Sequence, residues 1–317
     1  MKYSVNNKIK HVEGGVLKPI VIPGSNYRFE SRRLAEYIDA DFTDTLFKTF
    51  PDGESYVRVV DANKVRDRDV IIANTMFPNQ NSSFVETLLI IDSIRRLGAR
   101  RIVLFVPYLA YARQDKVFLE GEPVSIKVVL EAFRNAGSNY LITIDTHNPQ
   151  ALSYFGEGAY NVLVIDKLFE NISGMVINPI ILAPDKGALH RAKYLSEKYG
   201  FNSSYLEKRR DRVTGEISYE AVDIDVTGRD VVIVDDIIST GGTIATASSI
   251  LLEKGARRVY VLVTHGLFID NAIEKLRKSG IYKIVVANTV GFRVSDDIVS
   301  YVDVLENASQ VIEEIIL

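Results

Sequence analysis

The sequence predicts an α/β chain of the doubly wound type, on three observations. Short apolar runs alternate with amphipathic stretches of helical length. The run Val231–Val234 is apolar at every position, as in a parallel strand buried on both faces. One strand–helix–strand block also recurs later in the chain. In order, residues 1–18 read as an extension of weak periodicity, broken at Gly14-Gly15, before a first strand at 19–22. A strand at 70–73, a helix at 84–97, a strand at 102–106, a helix at 124–135 and a strand at 141–144 follow. In the second half, strands at 179–182 and 231–234 precede a helix at 243–254, which places Ile244, Ala247 and Leu251 on one face. The last helix, 308–317, is expected to pack back onto the first half.

The recurring block begins at Arg68-Asp69-Val70 and ends in Gly98-Ala-Arg-Arg-Ile-Val-Leu-Phe-Val106. Its echo begins at Arg229-Asp230-Val231 and ends in Gly255-Ala-Arg-Arg-Val-Tyr-Val-Leu-Val263. This reads as a tandem duplication, the alternative being chance recurrence of Gly-Ala-Arg-Arg before two strands. Two domains, 1–160 and 161–317, are expected, which suits a 317-residue chain that is 47% hydrophobic. Only the second copy carries acids and glycines after its first strand; the first has Asn74-Thr75 and Pro78-Asn-Gln-Asn-Ser82 there.

Composition narrows the function. With no cysteine, disulfides and thiolate metal sites are excluded, and a reducing cytoplasm is the expected compartment. No apolar run approaches about 18 residues and no signal core opens the chain, so no membrane role is expected. A net charge of -3 with interspersed signs makes no case for nucleic acid, and any phosphate binding must be local.

The chemistry concentrates in Asp235-Asp236-Ile-Ile-Ser239-Thr240-Gly241-Gly242-Thr243, a glycine turn between a strand's carboxyl end and a helix. Backbone N–H groups at such a turn, with the hydroxyls of Ser239, Thr240 and Thr243, suit a phosphate. Two carboxylates beside that cradle would repel an anion unless they bind sugar hydroxyls or a divalent cation, which points to a sugar phosphate. The bland reading is an acidic strand end followed by an ordinary cap. No Walker A sequence occurs, and Gly156-Glu-Gly158 lacks the third glycine of a dinucleotide fingerprint.

Five further segments are ambiguous alone. Phe50-Pro-Asp52-Gly-Glu54 is a turn carrying an aromatic and two acids. Arg113-Gln114-Asp115 follows a strand end and suits a nucleobase and phosphate, or a solvated loop. His147, one of four histidines, lies at another strand end, as a metal ligand or a structural imidazole. Asp185-Lys186-Gly187-Ala188 opens a helix, as a binding turn or a cap. Glu207-Lys208-Arg-Arg210-Asp-Arg212 lies between two β-like runs, as an exposed hairpin tip or a cationic clamp.

The acid–glycine segment resembles the phosphoribosyl diphosphate motif of type I phosphoribosyltransferase folds. Taken together, the six segments resemble ribose-phosphate diphosphokinases, the phosphoribosyl pyrophosphate synthetases, over nearly the whole chain from about Ile20. The resemblance implies two tandem phosphoribosyltransferase-like domains, each a mainly parallel sheet flanked by helices. It implies an ATP site built from Phe50, Asp52 and Glu54 of one subunit with Arg113, Gln114, Asp115 and His147 of its neighbour, so a homodimer or larger homo-oligomer is required. Asp235, Asp236 and Ser239 to Thr243 would bind ribose 5-phosphate, and Asp185 to Ala188 would form the diphosphate loop. His147 and Asp185 would hold Mg2+, and Lys208 and Arg210 would be catalytic. Ser239, where bacterial members usually have Asp, and Lys186-Gly-Ala, where they often have His-Gly-Gly, make the chain look more like archaeal members. Two rivals are a non-catalytic relative that only binds phosphoribosyl diphosphate and a transferase acting on a base.

Overall fold

The computed structural model describes residues 17–210, 217–221 and 225–316, with the side chains of 208–210 and 217–221 outside that description. The first half runs β1 (Ile20–Pro23), α1 (Arg28–Tyr37), β2 (Asp41–Phe42), β3 (Thr45–Thr49), β4 (Ser55–Val59), β5 (Asp69–Ala73), α2 (Gln80–Arg96), β6 (Arg101–Val106), α3 (Ser125–Ala136), β7 (Tyr140–Ile144) and β8 (Ala159–Val162). Its sheet has the order β2-β1-β5-β6-β7-β8 and every pairing is parallel, while β3 and β4 form a separate antiparallel hairpin.

After α4 (Ile165–Glu170) come β9 (Ile180–Ala183), α5 (Leu189–Tyr199), β10 (Asn202–Arg210), β11 (Ile217–Ala221), β12 (Asp230–Ile238), α6 (Gly242–Glu253), β13 (Arg258–Gly266), α7 (Ala272–Lys278), β14 (Lys283–Ala287), β15 (Val299–Val302) and α8 (Leu305–Ile316). They build a sheet of order β11-β10-β9-β12-β13-β14-β15, parallel except where β10 turns back into β11. The two-sheet α/β architecture expected from the sequence is therefore present.

Three elements differ from their expected bounds by more than one residue, each for a local reason. Helix α2 starts four residues before Phe84, because Pro78 and the left-handed Asn79 (φ +63°) end the preceding turn, and the buried Ser83 hydroxyl donates to Thr75 O at 3.0 Å. Strand β12 continues past Val234 to Ile238, since its ladder with β13 reaches Gly266. Helix α8 starts at Leu305, whose N–H donates to the Asp303 carboxylate at 3.1 Å.

Three cores hold these layers. One lies between the first sheet and helices α2 and α3, and another between the second sheet and α6 and α7. The third is shared: Val21, Ile71, Phe105 and Ile142 of the first sheet and Val232, Val234 and Leu262 of the second belong to one apolar cluster with α1, α4, α5 and α8. Helix α8 packs on α1 and β7, and Arg101 donates to the carbonyls of Ile315 and Ile316 at its end.

The two similar blocks build the same corner. Asp67 N–H donates to Gly98 O at 2.9 Å as Gly228 N–H does to Gly255 O at 2.8 Å, and Arg100 N–H reaches Arg68 O at 2.7 Å as Arg257 N–H reaches Arg229 O at 2.8 Å. Gly98 and Gly255 both need positive φ, +84° and +88°. In each corner an arginine clasps a buried aspartate: Arg100 and Arg101 on Asp69, and Arg257 on Asp230.

Burial works against the Asp69 charge, but hydrogen bonds from Arg101 and Arg100 outweigh it and hold the carboxyl below the usual carboxylate range. A lowered native pKa contributes stability that is present above the unfolded value, about 4, and is lost as pH falls through the native one. Asp69→Asn is expected to cost about 2–4 kcal/mol at neutral pH by leaving Arg101 without its partner. In urea unfolding the gap from wild type should shrink steadily below pH ~4; a gap that is constant with pH would show that the clasp is not ionic.

Candidate active site

Parallel strands gather their carboxyl ends at one edge of a sheet, where loops can present side chains and backbone dipoles to a ligand. Here the carboxyl ends of β6, β7, β9 and β12 open onto one cleft. It is lined by Arg113, His147, Asp185, Gly187, Ala188, Arg191, Asp235, Asp236 and the turn from Ser239 to Thr243. The two acids lie within β12 rather than in the loop that follows. Strand alternation therefore separates them: Asp236 follows Val232 and Val234 toward the shared core, and Asp235 follows Ile233 toward the other face.

The glycine turn is seated from below by the segment after β13. Leu267 N–H donates to Ile238 O at 2.8 Å and Ile269 N–H donates to Ser239 O at 3.0 Å. Gly241 has φ +73°, and a Cβ there would stand 3.1 Å from Leu276 of α7, so both backbone and space require glycine. It heads α6 with no side-chain cap, which leaves first-turn N–H groups for a ligand.

Beside the turn, the buried Asp236 carboxylate lies 2.8 Å from His147 Nδ1 and 3.9 Å from Arg191 Nη1. Burial alone would raise its pKa, but the His147 hydrogen bond and the Arg191 charge outweigh that and hold it well below the usual carboxylate range. Asp235 goes the other way, pushed well above that range by burial and then by the Asp236 charge beside it. The hydrogen bond to Asp236 raises His147 despite its partial burial. The cleft thus holds two unequal carboxyls, Asp236 favoured as an anion and Asp235 disfavoured.

Asp185 Oδ1 accepts from Gly187 N–H at 2.7 Å and Ala188 N–H at 3.1 Å, a turn that leaves Oδ2 for a cation. Asp115 Oδ2 accepts from Asn148 at 2.6 Å, tying the Arg113–Asp115 loop to the His147 loop. Gln114 lines a flanking pocket with Tyr108, Tyr111 and His265, and Asp115 lines another with His147 and His190. Lys186 is exposed and outside the cleft lining. Phe50, Asp52 and Glu54 sit at the tip of the β3–β4 hairpin, with Phe50 edge-on to Tyr56, and line neither the cleft nor the pockets beside it. Lys208 and Arg210 fall on β10, in register with Tyr219 and Ile217, and their side chains lie outside the described residues.

Two family models match: the N-terminal domain of ribose phosphate pyrophosphokinase over residues 20–137, and a phosphoribosyl synthetase-associated domain over 217–316. The ribose-phosphate pyrophosphokinase of Sulfurisphaera tokodaii is 42% identical over 86% of this chain and 93% of its own length. The chain belongs to the ribose-phosphate pyrophosphokinase family. The Pyrococcus furiosus member is 43% identical over 81% of this chain and 89% of its own, in keeping with the expected likeness to archaeal members. Among solved structures, the phosphoribosylpyrophosphate synthetase of Mycobacterium smegmatis superposes with a TM-score of 0.86 at 26% identity, over 94% of this chain and 98% of that one.

In this pyrophosphokinase chain, sequence reasoning passed over a buried layer beneath the cleft. Arg191 is 1% exposed and Asp145 is 0% exposed, with Arg191 Nε donating to both Asp145 oxygens at 2.9 and 3.0 Å. Thr264 Oγ1 donates to Asp145 Oδ2 at 2.7 Å. Burial pushes His265 down to about 4, so it is neutral, packed 5.0 Å from the Tyr108 ring and 2.8 Å from Thr289 Oγ1. The signal for Arg191 was slight, a lone arginine six positions after Asp185 in a helical stretch.

Gly241→Ala is expected to weaken binding of a ribose phosphate at least ~10-fold by calorimetry, with only about 1–2 kcal/mol lost in stability. Unchanged affinity would place the sugar's phosphate elsewhere.

Proposed function

We infer that the chain transfers the β,γ-diphosphoryl group of ATP to the 1-hydroxyl of ribose 5-phosphate, giving 5-phosphoribosyl 1-diphosphate and AMP for nucleotide biosynthesis. One observation carries this reading: the acid pair at the end of β12 runs straight into an uncapped glycine elbow, in the same cleft as Asp185 and His147. In the reaction, the ribose 1-oxygen bonds to the β-phosphorus, and the bond to the α–β bridging oxygen breaks, that oxygen leaving on AMP. The chain's work is alignment and neutralisation of charge.

The elbow from Ser239 to Thr243 anchors the 5-phosphate through its N–H groups and hydroxyls, and Asp235 and Asp236 take the ribose hydroxyls. The Asp185 to Ala188 turn receives the diphosphate. Among the described residues no cluster of three or more histidine and carboxylate side chains forms a protein-only metal cage. That donor set suits Mg2+, which takes one or two protein ligands and completes its shell with phosphate oxygens and water. Asp185 Oδ2 and His147 Nε2 are the atoms assigned to it. Bound there, magnesium would neutralise phosphate charge as it develops.

Strand β10 lies beside β9 with Tyr205 opposite Ala183, so the hairpin carrying Lys208 and Arg210 rises next to the Asp185 turn. Those cations are assigned to the transferring group. Arg113, Gln114 and Asp115 border the cleft as the adenine side of the ATP site. Phe50, Asp52 and Glu54, remote from the cleft of their own chain, are assigned to that of a second copy in a homodimer or larger homo-oligomer. The halves act as two domains, 1–160 and 161–317, and the cysteine-free composition suits the cytoplasm. Among the described residues no helix is long and apolar enough to cross a membrane. A non-catalytic relative would have no call for the intact His147 and Asp185, and a base transferase would have none for the duplicated first half.

Incubation with ATP, ribose 5-phosphate and Mg2+ is expected to release AMP, and chelation of the metal to stop it. Lys208→Ala should cut turnover ~10²- to 10³-fold with ribose 5-phosphate affinity retained; full turnover would remove Lys208 from the mechanism. Phe50→Ala and Arg113→Ala chains, each inactive alone, should recover roughly a quarter of wild-type activity after co-refolding, because mixed dimers keep one intact site. Failure of the mixture to recover would confine the ATP site to a single chain.

A further inference from the structure

We propose that Arg191 is a positioning residue for diphosphoryl transfer, holding His147 and Asp236 in register with one another from beneath the cleft. The guanidinium is buried at the start of α5, and each of its edges meets a different segment. Nε donates to both oxygens of Asp145 at 2.9 and 3.0 Å, and Nη2 donates to Thr146 O at 3.3 Å. Arg191 therefore grips the two residues immediately before His147, which directly follow β7 in the first half of the chain. Nη1 points the other way, 3.9 Å from Asp236 Oδ1 on β12 in the second half. Asp236 Oδ2 in turn meets His147 Nδ1 at 2.8 Å. One side chain thus holds the backbone on which the imidazole is mounted and faces the carboxylate to which that imidazole is bound.

A simple buried ion pair accounts for only part of this. Asp145 alone would neutralise Arg191, and Thr264 completes the Asp145 shell with a 2.7 Å hydrogen bond. The remaining edge is directed at the cleft, where Arg191 is among the lining residues. The strained backbone at Asp145, with φ +43°, also lies at the residue that Arg191 holds most tightly. Without the guanidinium, the loop carrying His147 and the strand carrying Asp236 would be free to shift independently, and misplacement by about 1 Å costs on the order of 10² in rate. The elbow from Ser239 to Thr243 makes no contact with Arg191 in this network, so anchorage of the sugar's phosphate is expected to survive.

The proposal rests on the cleft being the diphosphoryl-transfer site, and the wild-type enzyme, which must form AMP, tests that separately. Arg191→Met is expected to lower both thermal stability and kcat. The double variant Arg191→Met/Asp145→Leu replaces the buried pair by apolar side chains of similar size, an exchange that commonly restores stability. It should regain most of the lost Tm yet keep kcat at least ~30-fold down, while the dissociation constant of ribose 5-phosphate rises by less than about tenfold, the cost of a displaced hydrogen bond from Asp236. Arg191→Lys keeps the charge without the fork, so it should fold and show the same split between kcat and binding. Wild-type kcat in either the stable double variant or Arg191→Lys would overturn the proposal and leave Arg191 a structural ion pair.

Discussion

The shared apolar layer between the two sheets is the constraint on which the rest of the molecule depends. Each sheet buries its outer face against its own pair of helices, but the inner faces have no separate partners. Helices α1, α4, α5 and α8 serve both. At about 25 cal/mol per Å² of apolar surface removed from water, a layer of this extent outweighs any single polar contact in the chain. It fixes how β7 of one sheet stands against β12 of the other. That placement puts the imidazole of His147 within hydrogen-bond reach of Asp236, 89 positions later in sequence.

On that frame, the cleft is arranged so that its charges are unequal. Two adjacent carboxylates in a buried strand end cannot both be comfortable as anions. Asp236 keeps its charge because His147 and Arg191 compensate it, and the cost falls on Asp235. A ligand that brings hydroxyl donors or a cation relieves that cost, and one that brings only an anion does not. The uncapped start of α6 has the opposite preference. A molecule with hydroxyls at one end and a phosphate at the other satisfies both, which is the physical reason a ribose phosphate suits this edge of the sheet.

Much of this was legible in the sequence because local chemistry encodes it. The run from Asp235 to Thr243 requires a strand, a tight turn and a helix start in that order, and each requirement names its residues. The repeated Arg-Asp and Gly-Ala-Arg-Arg anchors likewise disclosed the two-sheet plan. Burial by a distant partner was not legible. Periodicity says that Val232 and Ile181 are inside, but not that Val21 and Phe105 lie in the same cluster. Arg191 shows the limit most clearly: in an amphipathic helix an arginine reads as solvent-facing, and only the arrival of Asp145 from the other half turns it inward. The Phe50 turn was recognisable as a hairpin tip, between β3 and β4.

The twin corners at the opposite edge of the sheets carry a separate lesson. The first block has none of the acids and glycines of the segment 235–243, yet it has the aspartate, the arginine clasp and the left-handed glycine in the same relation as the second. The corner geometry therefore recurs in both sheets where the cleft chemistry does not. A strand–helix–strand block with no cleft chemistry at all would still be recognisable by this small basic–acidic clasp at the floor of its sheet.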